Sequence, residues 1–116
     1  MIREGSSAKN MEAILRYIIE NDIDTRHCIL VSDDRDPHDL MDIGHMDYTL
    51  RKAIKMGLDP LKALQMVTLN PAEYFGLDKT IGSLGVGRKA NIAVLSVKDA
   101  SFTDFNVCMD YLQWGN

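Results

Sequence analysis

The chain has 116 residues, 46% of them hydrophobic, with 17 acidic against 13 basic side chains, a net charge of −4 and a pI near 5.2. That length holds one domain or a piece of a larger one, and that hydrophobic share excludes a disordered chain. Lys and Arg are scattered among acids, which leaves no basic patch for a nucleic-acid backbone. The two cysteines, Cys28 and Cys108, lie far apart without metal-ligand spacing and suit a reduced, intracellular chain. No apolar run approaches the roughly 20 residues of a membrane span, and Met1 to Asn10 is polar instead of signal-like, so a soluble protein is expected.

In chain order, Ser7 to Asn21 carries Met11, Ile14, Leu15, Ile18 and Ile19 at the spacing of one helix face, which predicts a helix. Cys28 to Val31 is a short apolar run closed by Ser32, Asp33, Asp34, Arg35, Asp36 and Pro37, the pattern of a buried strand emptying into a loop. Carboxylates at the carboxyl end of such a strand sit where α/β folds and barrels assemble their sites. Asp33 and Asp34 are therefore candidates for metal or proton chemistry. On residue chemistry alone the alternative stands that Asp33 caps a turn or the next helix.

Asp47 to Met56 repeats helical spacing through Tyr48, Leu50, Ala53 and Ile54, with Gly57 as its stop. Asp59 and Pro60 open another helix, the acid as cap and the proline at the first helical position. Leu61, Leu64 and Val67 or Thr68 are expected on its buried side, with Lys62 and Gln65 outward. Asn70 and Pro71 are expected to interrupt it, leaving Ala72 to Phe75 as one short turn before Gly76.

From Ile81 the texture turns to β: Gly82, Gly85 and Gly87 supply turns with positive φ, Ala90 to Val97 reads as a strand, and Phe102 to Trp114 holds one more. The glycines lack the following helix that a phosphate loop needs. Ser6 and Ser32 lie in no nucleophile elbow. His27, His38 and His45 have no metal-ligand spacing, and a lone loop histidine is more often structural than a ligand.

The order and wording of these segments resemble the adenine deaminase branch of the amidohydrolase superfamily. The resemblance rests on Arg3-Glu4-Gly5-Ser6, Ser32-Asp33-Asp34-Arg35, Gly44-His45 with Asp47, Arg51-Lys52-Ala53-Ile54, Asn70-Pro71-Ala72-Glu73-Tyr74-Phe75-Gly76-Leu77, Ile81-Gly82-Ser83 and Gly87-Arg88-Lys89-Ala90-Asn91. Asn91 departs from it, since the family usually has Asp there.

The resemblance implies an α/β fold, a late slice of a (β/α)8 barrel flanked by a β-sandwich. Residues 1–80 would hold strands seven and eight with their helices, strand seven ending at Arg3 to Ser6 and strand eight being His27 to Ser32. Residues 81–116 would begin the sandwich. It implies Asp33 as metal ligand and proton shuttle, with Asp34 the second choice. Glu4 and Ser6 would hydrogen-bond the purine or orient ligands, and His45 would close over the substrate. The implied cofactor is a divalent metal, manganese, iron or zinc, in the complete enzyme. None is expected on this chain alone, because the family's His-x-His pair, bridging glutamate and later histidines have no counterpart. The implied activity is cytoplasmic purine salvage, adenine to hypoxanthine and ammonia, by a homo-oligomer or by association with the rest of a barrel, with the isolated chain inactive. The alternative is a non-catalytic association module. Either way, apolar surface at Leu15, Ile18, Ile29, Val31, Leu61 and Leu64 is expected to be exposed. A second copy would cover it, or Asn91 to Leu95 would pack beside Cys28 to Val31.

Overall fold

The computed structural model describes residues 1–99, 102 and 105–109. Alternation of buried and exposed side chains starts at once: Ile2 and Glu4 are buried, Arg3 is exposed. Strand β1 (Ile2–Arg3) lies parallel to β2 (Leu30–Val31), Ile2 opposite Leu30 and Arg3 opposite Val31. The ladder extends past both labels, since the Ile2 N–H donates to the Ile29 carbonyl at 2.7 Å and the Glu4 N–H to the Val31 carbonyl at 3.0 Å. Parallel strands need a crossover, and helix α1 (Met11–Glu20) supplies it. Its buried residues Met11, Leu15 and Ile18 recur at helical spacing, and burying each stabilises the fold by about 2 kcal/mol.

The acidic segment after β2 folds into a short helix that periodicity did not predict, α2 (Pro37–Asp42), which buries no residue. Asp36, and not Asp33, is its cap, accepting from the His38 N–H at 2.8 Å, with Pro37 at the first helical position. Helix α3 (Met46–Lys55) buries Leu50, Ala53 and Ile54. Gly57, at φ +104, ends it as the sequence implied. Helix α4 (Pro60–Val67) is capped by Asp59, which accepts from Leu61 and Lys62 N–H groups.

The expected buried side of α4 is corrected by the structure: it buries Ala63 and Met66, while Leu61 is 71% and Leu64 43% exposed. Small Ala63 lets α4 approach closely, and that rotates the leucines out. Asn70 and Pro71 do not break the helical path either. It breaks at Thr68, and α5 (Leu69–Tyr74) runs through both residues, with Pro71 in its first turn where no N–H is required. Strands β3 (Val94–Val97) and β4 (Phe105–Met109) pair antiparallel in a separate two-stranded sheet. The tail strand therefore does not pack beside β2. Of the residues expected at an exposed apolar face, Leu15, Ile18 and Ile29 are buried, Val31 is half-buried, and only the two leucines of α4 are exposed. Phe105 reaches the main core, which runs through Ile2, Met11, Leu15, Leu30, Ala53 and Met66. The part of the last predicted strand beyond Met109, and the side chain of Cys108, lie outside the described residues.

Candidate active site at the strand tips

The carboxyl ends of β1 and β2 lie side by side, so the tetrapeptides Arg3 to Ser6 and Ser32 to Arg35 meet. Nearly every residue of one engages the other. Arg3 Nη1 pairs with Asp33 Oδ2 at 3.1 Å on the exposed side, an ion pair that contributes about 0.5 kcal/mol at such exposure. Gly5 lies against Asp34, where an added Cβ would come within 2.0 Å of its Oδ1 and 2.9 Å of its carbonyl. The Ser6 N–H donates to that carbonyl at 2.6 Å. Arg35 donates to the Glu4 carbonyl at 3.4 Å and to the Gly44 carbonyl at 3.1 Å, with its guanidinium 4.9 Å from the centre of the Tyr48 ring.

The two neighbouring aspartates are held differently. Asp33 has φ +59, a left-handed conformation rare outside glycine, which Asp tolerates and which strand-to-site turns use. Its carboxylate stays exposed. Asp34 turns back and accepts from the Ser7 N–H at 3.1 Å and the Ala8 N–H at 3.2 Å. The Ala8 bond is the largest influence and lowers its carboxyl; burial comes next and pushes upward, and the bonds from Ala8 and Ser7 together hold it below the ordinary 3.8. The structure thus makes Asp34 a clamp between the two loops and leaves Asp33 as the freer acid.

Ser6 Oγ donates to Asp39 Oδ2 at 2.5 Å and accepts from the Asp36 N–H at 2.8 Å, so it fastens α2 to the first loop. His45 Nε2 lies 3.1 Å from Ser32 Oγ, one residue from Asp33, and brings that histidine to the tips. Glu4 goes elsewhere. It is 1% exposed on the helix side of β1, opposite Arg3, with Oε1 2.6 Å from Lys52 Nζ. Burial pushes the Lys52 ammonium down most, but the bond and charge of Glu4 outweigh it and raise the lysine above 10.5. At Asp47, burial is likewise the largest influence and pushes upward, yet the His45 N–H and Arg51, 2.6 Å away, hold the carboxyl below its ordinary value. Asp33, Ser6 and His45 therefore gather at the tips, Asp34 pins them, and Glu4 lies behind the sheet.

Reading the sequence missed Lys52, Asp39 and Asn70 as parts of this frame. Asn70 is buried and donates from Nδ2 to the Thr25 carbonyl at 3.0 Å and the Cys28 carbonyl at 2.7 Å, holding the approach to β2. No local signal marks a partner 42 residues away, although an Asn ahead of Pro inside a helical pattern was a cue that its side chain had work outside the helix. Among the described residues, no three His, Cys, Asp or Glu side chains converge as a group able to hold a metal ion. With Asp33 already paired to Arg3, these residues do not by themselves make a metal site.

The family model of the amidohydrolases matches residues 2–111. The chain belongs to the amidohydrolase family. It is 40% identical over 104 residues to the adenine deaminase of Clostridium botulinum, covering 89% of this chain and 17% of that protein. Against the adenine deaminase 1 of Carboxydothermus hydrogenoformans it is 46% identical over 95 residues, covering 82% and 16%, and against the adenine deaminase of Methanococcoides burtonii 44% identical over 95 residues, again 82% and 16%. The chain thus spans about one sixth of the length of the relatives it matches. No solved structure matches it. The mixed helix and strand order agrees with the α/β class expected from the sequence, and among the described residues no helix is long and apolar enough to cross a membrane.

Proposed function

We propose that this chain is the sector of an adenine deaminase that carries the last two strands of the barrel, residues 1–80, followed by the first sandwich strands, residues 81–116. The observation that carries this reading is the parallel pair β1–β2 with Asp33 exposed at its carboxyl end in a left-handed turn, framed by Ser6 and His45. Strand ends of this kind are where parallel barrels do chemistry. The similarity to proteins named adenine deaminase supports the substrate.

Deamination replaces the exocyclic amine at C6 of adenine by oxygen from water, giving hypoxanthine and ammonia. Asp33 is the residue to take the proton from that water and pass it to the departing amine, since an exposed carboxylate at a strand tip can serve as a general base. His45 and Ser6 would position the purine from the neighbouring loops. Glu4, facing the helices, would act on substrate only through the strand that carries Arg3. The complete enzyme would use a divalent metal, manganese, iron or zinc. Asp33 would be one ligand, with the others supplied from outside the residues described here. A cytoplasmic homo-oligomer in purine salvage is the setting we assign.

The test is a chimera in which residues 2–111 replace the matching segment of the Clostridium botulinum relative. A folded chimera that converts adenine to hypoxanthine supports the reading. A folded chimera that binds adenine without releasing ammonia refutes it.

A further inference from the structure

Behind β1, on the face opposite Arg3 and Asp33, lies a groove of about 560 Å³ lined by Glu4, Lys9, Asn10, Glu12, Arg16 and Lys52. Three features converge there. Glu4 is 1% exposed, and while Lys52 satisfies its Oε1, its Oε2 is buried without a hydrogen-bond partner. A buried acceptor left unpaired is costly, so such an atom calls for a donor. Helix α1 starts at the same groove, and no side chain caps it: Asn10, the cap position, accepts instead from the Arg3 N–H, 2.7 Å away. Uncapped first-turn N–H groups favour an anion. Lys9 and Arg16 line the groove, and Glu12, the acid of that turn, is engaged by Arg16 at 3.0 Å.

These features ask for two things at once. The helix start and the surplus of positive charge select an anion, whereas the buried Glu4 oxygen rejects a bare anion and accepts only from an O–H or N–H. One ligand class meets both demands, an oxyanion that keeps a proton. We propose that this groove binds a protonated phosphate group, its P–O–H donating to Glu4 Oε2 while its charged oxygens face the first turn of α1, Lys9 and Lys52. Sulfate has the same shape and carries no proton near neutrality, so the site discriminates between them.

The experiment is titration calorimetry on the 116-residue chain at pH 6 with inorganic phosphate, methyl phosphate and sulfate. Saturable one-to-one binding of phosphate, at least about tenfold tighter than sulfate, is expected from one charge-assisted hydrogen bond. Methyl phosphate binding as well assigns the site to phosphate monoesters, and its exclusion assigns it to free phosphate. Glu4→Gln keeps the shape and the bond to Lys52 but presents an N–H, so sulfate affinity should rise to within about threefold of phosphate. Lys9→Ala, on the exposed rim, should weaken phosphate binding severalfold without touching the core. The proposal is overturned if phosphate does not bind, if sulfate binds equally to the unaltered chain, or if Glu4→Gln leaves the preference unchanged.

Discussion

β1 and β2 pair over two residues each, yet the bonds around their carboxyl ends tie positions 26 to 48 residues apart: Asp34 to Ala8, Ser6 to Asp39, Lys52 to Glu4. β3 and β4 pair over four and five residues, but β3 has a mostly exposed face, and the described anchors of this sheet to the core are Leu95, Phe105 and the Arg51 that donates to the Phe105 carbonyl at 3.3 Å. Ladder length therefore does not measure how firmly a sheet is set in this molecule. Side-chain bonds between distant segments, to backbone at Asp34 and to side chains at Ser6 and Lys52, fix the first pair at its carboxyl ends. The second pair is held by its own register, and among the described side chains Leu95 and Phe105 carry it to the core.

The comparison is broken most severely at Asp33. In the complete enzyme carrying this segment, Asp33→Asn should leave the fold intact and lower turnover by at least about 100-fold, the scale of a lost general base. Asp34→Asn should do the opposite, loosening the loops while costing less turnover per folded molecule, because Asp34 spends its oxygens on Ser7 and Ala8. Steady-state kinetics beside thermal melts separates the two, and a more damaging Asp34 would reverse the assignment.

Gly5→Ala comes next. The new Cβ would meet two fixed carbonyls, those of Asp34 at 2.9 Å and Ser32 at 3.0 Å, besides the clamped carboxylate. A loss of about 3 kcal/mol is expected, read as a lower denaturation midpoint. Asn70→Ala removes both donors to the approach of β2 and leaves the Thr25 and Cys28 carbonyls unpaired, which should cost about 2 kcal/mol in the same measurement.

How much of this was readable beforehand follows from where the determining contacts lie. The helices α1, α3 and α4, the Asp59 cap and the Gly57 stop are dictated by residues within four positions of each other, and the sequence displays them. The acidic loop stood out as a candidate site because two acids ended an apolar run. That Asp34 would clamp the loops while Asp33 stayed exposed beside Arg3 was not legible, since that depends on Ser7 and Ala8 arriving from the other strand. Leu61 and Leu64 misled because spacing gives a helix its apolar residues but not which of them faces the core. A closely packed Ala63 decided that.

Acid sharpens the contrast between the two regions. Asp34 and Asp47 both have folded values below the ordinary 3.8, so their contribution is fully present above that value and is lost as pH falls through the lower folded values. Both act at the strand tips and the start of α3. Lowering the pH below about 4 should therefore release exchange protection first at Ser7, Ala8 and His45, with β3–β4 amides following only at global unfolding. Simultaneous loss in both regions would show that the carboxylates do not set the stability of the tips.

The smallest effect is expected in the second sheet. Val97, at the end of β3 and opposite Phe105 in the register, is 39% exposed and lies outside the core cluster. Val97→Thr keeps the β-branched shape and adds a hydroxyl that water can satisfy, so stability should change by less than about 0.5 kcal/mol. Phe105, its register partner, is buried in the core, and if the tail were set by that anchor alone, then even this exposed position would be indifferent to further change. A loss above 1 kcal/mol for Val97→Thr, on the scale of a core substitution, would mean that the exposed face of β3 is covered in solution. The second sheet would then be as firmly bound as the first.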